Sequence, residues 1–326
     1  MALHLPDKWV WDFWFARDGD GVHLFYLQAP RALSDPHLRH HNATVGHATS
    51  RDLKHWRVRP DALAPGPEGS WDDVAIWTGS VIERDGRWHM LYTGTNKSER
   101  GLIQRIGLAV SNDLERWQKH PGNPVIEADG RWYELLDLNR WRDQSWRDPW
   151  LFEHESHGPV GALITARSRH GAPDGAGVIA LARSHDLTTW EVFPPLTDPG
   201  DFAQVECPQL VSDERGHRIL FSCLAEDHSA SRIARTGREG VTGTFLFHAP
   251  TLDGPFVPTT DPIASPQLGP MYAGRLVPNE LDEWRFLAFR GAGDKDFIGE
   301  LTDPLPVRFH PSGAIHTVTA TRSAIA

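Results

Sequence analysis

The sequence predicts an all-β chain folded as a five-bladed β-propeller, and three observations carry that expectation. A motif of the form A-x-S-x-D-L-x-x-W recurs along the chain, in three near-identical copies and two worn ones. A short apolar segment opened by a polar turn precedes each copy. Long helical periodicity is absent, and Gly and Pro, 29 and 25 of the 326 residues, punctuate the chain throughout.

A fixed internal period sets the architecture before any local propensity does. GHATSRDLKHW occupies Gly46–Trp56, GLAVSNDLERW Gly107–Trp117 and ALARSHDLTTW Ala180–Trp190. The worn copies are FHAPTLDGPF at Phe247–Phe256 and GELTDPLPV at Gly299–Val307. The apolar segments ahead of them are GVHLFYLQ, GRWHMLYTG, GPVGALITA, GHRILFSCL and DEWRFLAFR. They are rich in aromatic and branched residues and bounded by Gly or Asp, as strands are. Further upstream lie WDFWF, WTGSVI, RDPWLF, ECPQLV and YAGRLV. Each unit has room for about four strands of ~5–6 residues plus loops. Four-stranded units repeated four to eight times close into a propeller. The repeated Trp is expected to pack between blades.

The repeats reach from about residue 9 to about residue 310, and no Gly-, Ser- or Pro-rich spacer divides them. One domain over residues 1–326 is therefore expected, with the tail after Pro311 either a closing strand or loose. With 33 Lys and Arg against 43 Asp and Glu, the net charge of −10 argues against nucleic acid as a partner. No apolar run approaches the ~18 residues of a membrane span. The start, MALHLPDKWVWDFWF, has no basic segment leading into an apolar one, so a cytoplasmic protein is expected. Cys207 and Cys223, the two cysteines, exclude a disulfide scaffold and a zinc ribbon.

In a propeller the first strand of each blade lines the axis, so residues at its entrance can converge on one pocket. Counting back from the apolar segments puts Asp12, Asp148 and Glu206 at three equivalent positions, with Trp77 and Tyr272 at the other two. Any one of these acids could cap a turn. Three at matching offsets point to a shared site, because like charges in a partly dry pocket are costly. Glycoside cleavage uses such a set: one carboxyl protonates the leaving oxygen, and a second attacks the anomeric carbon or activates water. Trp9, Trp11, Trp14, Trp77 and Trp150 could offer flat faces to a sugar ring, some of them serving instead as core. Arg147 should favour the charged form of Asp148, suiting it to hold hydroxyls and stabilise positive charge on the ring. Glu206, in the apolar run VECPQLV with other anions near, should have a raised pKa suited to a general acid. Asp12, bracketed by aromatics, is left as candidate nucleophile.

These residues carry a resemblance. FYLQ (Phe25–Gln28), GHATSRDLKHW, WTGS (Trp77–Ser80), LYTG (Leu91–Gly94), RDP (Arg147–Pro149) and EC (Glu206–Cys207) resemble glycoside hydrolase family 32, and more distantly family 68. The likeness covers residues 9–225 well and the last third weakly. It implies a five-bladed propeller acting on β-fructofuranosides, sucrose or short fructo-oligosaccharides, with retention and possible transfer to a second sugar. It implies Asp12 as nucleophile, Asp148 as transition-state stabiliser and Glu206 as acid/base. Trp11, Gln28, Trp77, Thr78, Arg147, Cys207 and Tyr272 would neighbour the fructosyl pocket, and no cofactor or metal is implied. VWDFWF departs from the Asn-Asp-Pro-Asn-Gly of family 32 and is similar to the V-W-D-x-W of family 68. Family 32 enzymes usually add a C-terminal β-sandwich, for which this chain has no room; a monomer with an open pocket or a homodimer is expected.

The rival readings are an inverting furanosidase resembling family 43 and a sugar-binding propeller without catalysis. His37, His40, His41 and His47 crowd the loop between the first and second strands of blade one, read as a polar pocket edge, since their spacing fits no zinc pattern. Asp72 and Asp73 are read as turn residues, with contact to sugar hydroxyls the alternative. The Trp-rich segment Gly130–Trp150 should wall the pocket, and Gly171–Val178 should be a hairpin end.

Overall fold

Strands rich in aromatic and branched residues, largely buried on both faces and separated by turns, give five four-stranded antiparallel sheets. The computed structural model describes residues 3–19, 21–153, 158–263, 271–291, 297–310 and 314–318. Blade one comprises β1 (Lys8–Asp18), β2 (Gly21–Pro30), β3 (Thr44–Ser50) and β4 (Arg57–Leu63). Blade two comprises β5 (Ala75–Arg84), β6 (Arg87–Thr95), β7 (Arg105–Ser111) and β8 (Gln118–Lys119). Blade three follows with β9 (Trp146–Glu153), β10 (Val160–Arg167), β11 (Gly177–Ser184) and β12 (Glu191–Val192). Blade four has β13 (Glu206–Asp213), β14 (Gly216–Cys223), β15 (Gly243–Ala249) and β16 (Val257–Pro258). Blade five has β17 (Met271–Pro278), β18 (Trp284–Arg290), β19 (Leu305–Phe309) and β20 (Ile315–Thr317). One short helix, α1 (Ala230–Thr236), interrupts blade four. No described helix is long and apolar enough to cross a membrane.

The first strands contact one another in a closed cycle, β1 with β5, β5 with β9, β9 with β13, β13 with β17 and β17 with β1. They therefore surround the axis, as a propeller requires. The amide of Val10 donates to Gly299 O at 3.0 Å, and Arg275 Nε donates to Phe13 O at 3.2 Å, tying the last blade to the first. Of the tail beyond Pro311, Ile315–Thr317 adds the outer strand of blade five, and the rest lies outside the described residues apart from Ala314 and Val318.

The repeated motif is a turn between the third and fourth strands. In blade two, Asp113 Oδ1 accepts from the amides of Glu115 and Arg116 at 2.9 and 2.8 Å. Asp52 and Asp186 bind their own turns in the same way. The next residue, Leu53, Leu114 or Leu187, is buried at φ of +61°, +60° or +62°, so an apolar side chain is driven inward through a left-handed backbone. Trp117 Nε1 donates to Leu114 O at 3.1 Å, and its ring meets Phe25 of β2 edge-on at 5.6 Å, between blades one and two as expected. The fifth copy is a correction. Leu301 bridges to Phe289 of β18, and β19 begins at Leu305, so Gly299–Val307 lies along the third strand rather than at the turn beyond it.

Every first strand breaks register with its neighbour at one place. The break follows Trp11, Trp77, Arg147, Glu206 and Tyr272. An extra residue there bends the strand and re-aims side chains. In blades three to five the residue that follows, Asp148, Cys207 or Ala273, sits at φ of +57°, +55° or +48°.

Candidate active site

A cavity of about 440 Å³ opens at this ring of bulges, lined from the five first strands by Trp11, Asp12, Trp77, Thr78, Arg147, Asp148, Glu206 and Tyr272. The three acids thus share one cavity, though not by the equivalence the sequence offered. By register, Asp12 and Asp148 follow the break together with Thr78, Cys207 and Ala273. Glu206 precedes the break and corresponds to Trp11, Trp77, Arg147 and Tyr272. Two adjacent rings supply the acids, because turn lengths differ between blades and a count from an apolar residue slips by one.

The three carboxylates are held unequally. Asp12 Oδ2 accepts from Thr78 Oγ1 at 2.7 Å. Asp148 Oδ2 accepts from Thr165 Oγ1 and from the Cys207 amide, both at 3.0 Å, while the Asp148 amide donates to Thr93 Oγ1. Glu206 accepts from Arg147 Nη2 at 2.6 Å and from the Tyr272 hydroxyl. Arg147 is fixed in turn by donating to Gln104 at 2.9 Å and to Gln204. A carboxylate oxygen of Asp12, one of Asp148 and Cys207 Sγ lie within 4.8 Å of one another.

Protonation is divided unequally, and against expectation. Burial, then the charge of Asp148, pushes Asp12 up to about 6, with Glu206 adding to the rise and Thr78 and Arg275 opposing it. Burial also raises Asp148; Arg147 favours its charged form, as expected, but offsets burial only in part. Glu206 is the reverse. Burial pushes it up, but the Arg147 guanidinium and the Tyr272 hydroxyl outweigh burial and hold it below its ordinary value. The raised Glu206 expected from its apolar sequence context is corrected: the neighbours that matter are brought in from other blades.

Of the expected pocket residues, Trp11, Trp77, Thr78, Arg147 and Tyr272 line the cavity. Gln28 and Cys207 do not. Gln28 is buried, donating to Thr44 Oγ1 at 3.3 Å, and Cys207 supports Asp148 through its amide. Among the aromatics, Trp9, Trp14 and Trp150 lie outside the lining: Trp14 is core, Trp9 packs on Phe297 and Trp150 lies under Arg275.

The histidine loop joins the second and third strands of blade one, not the first and second, as the 3₁₀ turn Pro36–Asn42. His37 and His40 reach the cavity; His47 belongs to β3 and stacks on Phe25 away from it. Burial, then Arg39, holds His40 down to about 3, so it is neutral. Asp72 binds Tyr92, Ser70 and Lys119, and Asp73 the amides of Gly69 and Lys97, so both are turn residues. The segment Gly130–Trp150 walls the cavity through Arg142 and Asp143, and Gly171–Val178 connects β10 to β11.

Sequence reasoning missed Arg39, Leu224, Glu226 and Phe289 in the lining, and singled out the segment that holds Arg142 and Asp143 without naming either residue. It also missed Arg275, buried below the site and donating to the carbonyls of Cys207 and Pro208 at 2.7 and 2.6 Å. Its position four residues into YAGRLV was the available signal. Asp12, Asp148 and Cys207 are the one grouping of metal-ligand atoms among the described residues. They suit a metal poorly, since burial and the two Asp charges push the Cys207 thiol well up, whereas a ligating thiol must be ionised.

The family model of the glycosyl hydrolases family 32 N-terminal domain matches residues 16–238, more than half of the chain. The chain belongs to glycosyl hydrolase family 32. The sucrose-6-phosphate hydrolase of Escherichia coli is 28% identical over 230 residues, which is 67% of this chain and 42% of that protein. The levansucrase of Zymomonas mobilis is 27% identical over 283 residues, 73% of this chain and 64% of its own. The chain spans less than half the length of the first curated relatives it matches. Among solved structures, the inulosucrase from Halalkalicoccus jeotgali bound to kestose superposes with a TM-score of 0.76 at 23% identity, covering 96% of this chain and 87% of that one. A Bombyx mori GH32 β-fructofuranosidase has a TM-score of 0.71 at 19% identity, covering 98% and 65%. The family 32 match holds Asp148 and Glu206 but begins after Asp12, where VWDFWF departs from the family form.

Proposed function

We propose that this family 32 chain cleaves β-fructofuranosides, sucrose or short fructo-oligosaccharides, by double displacement. The observation that carries the reading is the meeting of Asp12, Asp148 and Glu206, from three blades, in one cavity flanked by Trp11 and Trp77. Asp12 attacks the anomeric carbon as the bond to the leaving oxygen breaks and Glu206 gives that oxygen its proton. Glu206, now ionised, takes a proton from an incoming water, which attacks the same carbon and releases Asp12. A sugar hydroxyl in place of water gives transfer. Asp148, pinned by Thr165 and the Cys207 amide, stays fixed beside the ring, where its charge favours an oxocarbenium-like transition state.

Sucrose, raffinose, short inulin- and levan-type oligomers and aryl arabinofuranosides offered separately test this, with released sugars quantified. Fructose release from the fructosides is expected. Release of arabinose without fructose would overturn the substrate class and favour the inverting furanosidase. Binding without any release would favour the non-catalytic propeller.

A further inference from the structure

A second cavity, of about 400 Å³, opens on blade four, and none of its lining residues lines the first. It is enclosed by the connection from β14 to β15, which carries α1, and by residues 260–262 beyond β16. Close packing builds it. A Cβ at Gly240 would collide with the Ala225 carbonyl, and one at Gly243 would lie 2.8 Å from Pro262 Cβ, so these segments press onto their neighbours. Buried Arg232 ties α1 to the opposite wall, donating to the carbonyls of Thr259 and Thr260 at 2.8 and 3.1 Å.

The charges of the lining cancel. Arg232 also donates to Asp201 at 3.2 Å, and Arg238 donates to Asp261. Three polar groups are left over. His228, 9% exposed, donates from Nε2 to Val241 O at 3.1 Å, and burial holds the ring below its ordinary value. The ring is therefore neutral, with a lone pair on Nδ1. Among the described residues, nothing in the protein bonds that nitrogen, the Glu239 carboxylate or the Thr260 hydroxyl. Beside them, Val241, Phe245 and Pro262 give the cavity an apolar wall.

We infer that this cavity is a second, non-catalytic site for a neutral saccharide of one or two rings. Two acceptors and a hydroxyl call for a ligand rich in hydrogen-bond donors, and the apolar wall calls for a C–H face; a sugar ring offers both. Two arginines and two carboxylates in the lining give no net charge to favour an ion of either sign. The volume falls within the ~300–1,000 Å³ of small-molecule pockets. With Asp261 neutralised by Arg238, Glu239 stands as a lone carboxylate, and glycoside cleavage takes two. The site therefore holds its sugar without reacting with it.

The test titrates the Glu206→Gln protein, which lacks the proposed acid/base, with sucrose and with fructose by calorimetry. Sucrose should give two binding events. Adding Glu239→Ala and Thr260→Val, both at exposed positions, should weaken one event at least tenfold and leave the other unchanged. An unchanged thermal midpoint reports that the variant is folded. In ¹⁵N-histidine NMR, the Nδ1 signal missing from His228→Gln should shift on saturation with sucrose, and should stay still in the Glu239→Ala/Thr260→Val protein. A single event indifferent to those substitutions, with no shift of His228, would overturn the inference. So would a His228 signal that moves with n-butylammonium and not with either sugar, which would mark a site for cations. Neither result bears on the fructosyl reading, which rests on the first cavity alone.

Discussion

Asp12 is buried beside the charges of both other acids, and among the described residues Thr78 is its one hydrogen-bond donor. Its carboxyl binds a proton more tightly in the fold, at about 6, than in the unfolded chain, near 3.8. Its contribution to stability is therefore complete below the lower value and is lost as pH rises through the higher one. Asp12→Asn should stabilise the protein at neutral pH by about 1–3 kcal/mol while abolishing turnover. Thermal unfolding across pH checks this: the advantage of the variant should shrink in acid as the native Asp12 takes up its proton. The same imbalance shapes catalysis. The productive form needs Asp12 ionised and Glu206 protonated, yet Glu206 lies below its ordinary value and Asp12 above. That form is most populated between the two, so kcat/KM should peak in acid and fall as pH rises through about 6. A plateau extending from neutral into alkaline pH would contradict it. The identities of the three acids were legible in the sequence, but their protonation was not. Arg147 and Tyr272 meet Glu206 from blades distant in the chain, and no local composition encodes that meeting.

At the scale of the element, the Ser-Asp-Leu turn explains both what was legible and what was not. Blades one to three keep the Asp that binds two amides and the Leu that enters the core, so their sequences stay alike. In the fourth copy Asp253 is 89% exposed and Gly254 stands where the other copies have Leu, and in blade five the sequence after β19, residues 310–314, holds neither Asp nor Leu. A repeat is readable only where its turn chemistry repeats. Asp113→Ala removes the one oxygen that accepts from two amides and from the Ser111 hydroxyl, and should cost about 1–2 kcal/mol in urea unfolding with little change in KM. Asp253→Ala, changing an exposed side chain in the worn copy, should cost much less. The bulge in each first strand was not legible, because these strands are buried on both faces around it and offer no alternation whose phase an inserted residue could invert. It is nevertheless the feature that turns Asp12 and Asp148 into the cavity.

At the scale of the whole molecule, closure of five blades does what no blade does alone. The register breaks of β1, β9 and β13 come together at the axis, and Arg275 beneath them binds carbonyls of blades one and four from blade five. Five blades could be counted from the repeats, whereas the outer wall, Arg142 and Glu226 included, comes from connections with no repeating pattern. The most direct test of a nucleophile set in that ring uses Glu206→Gln with β-fructofuranosyl fluoride. Fluoride leaves without an acid, and the missing base stalls the second step, so a covalent intermediate should accumulate. Cleavage at Lys8 and Arg17 yields a peptide, Trp9–Arg17, in which Asp12 is the only side-chain carboxylate. Mass spectrometry after acid quench should find one fructosyl group on that peptide; an adduct on another carboxylate, or turnover with inverted configuration and no adduct, would contradict a covalent role for Asp12.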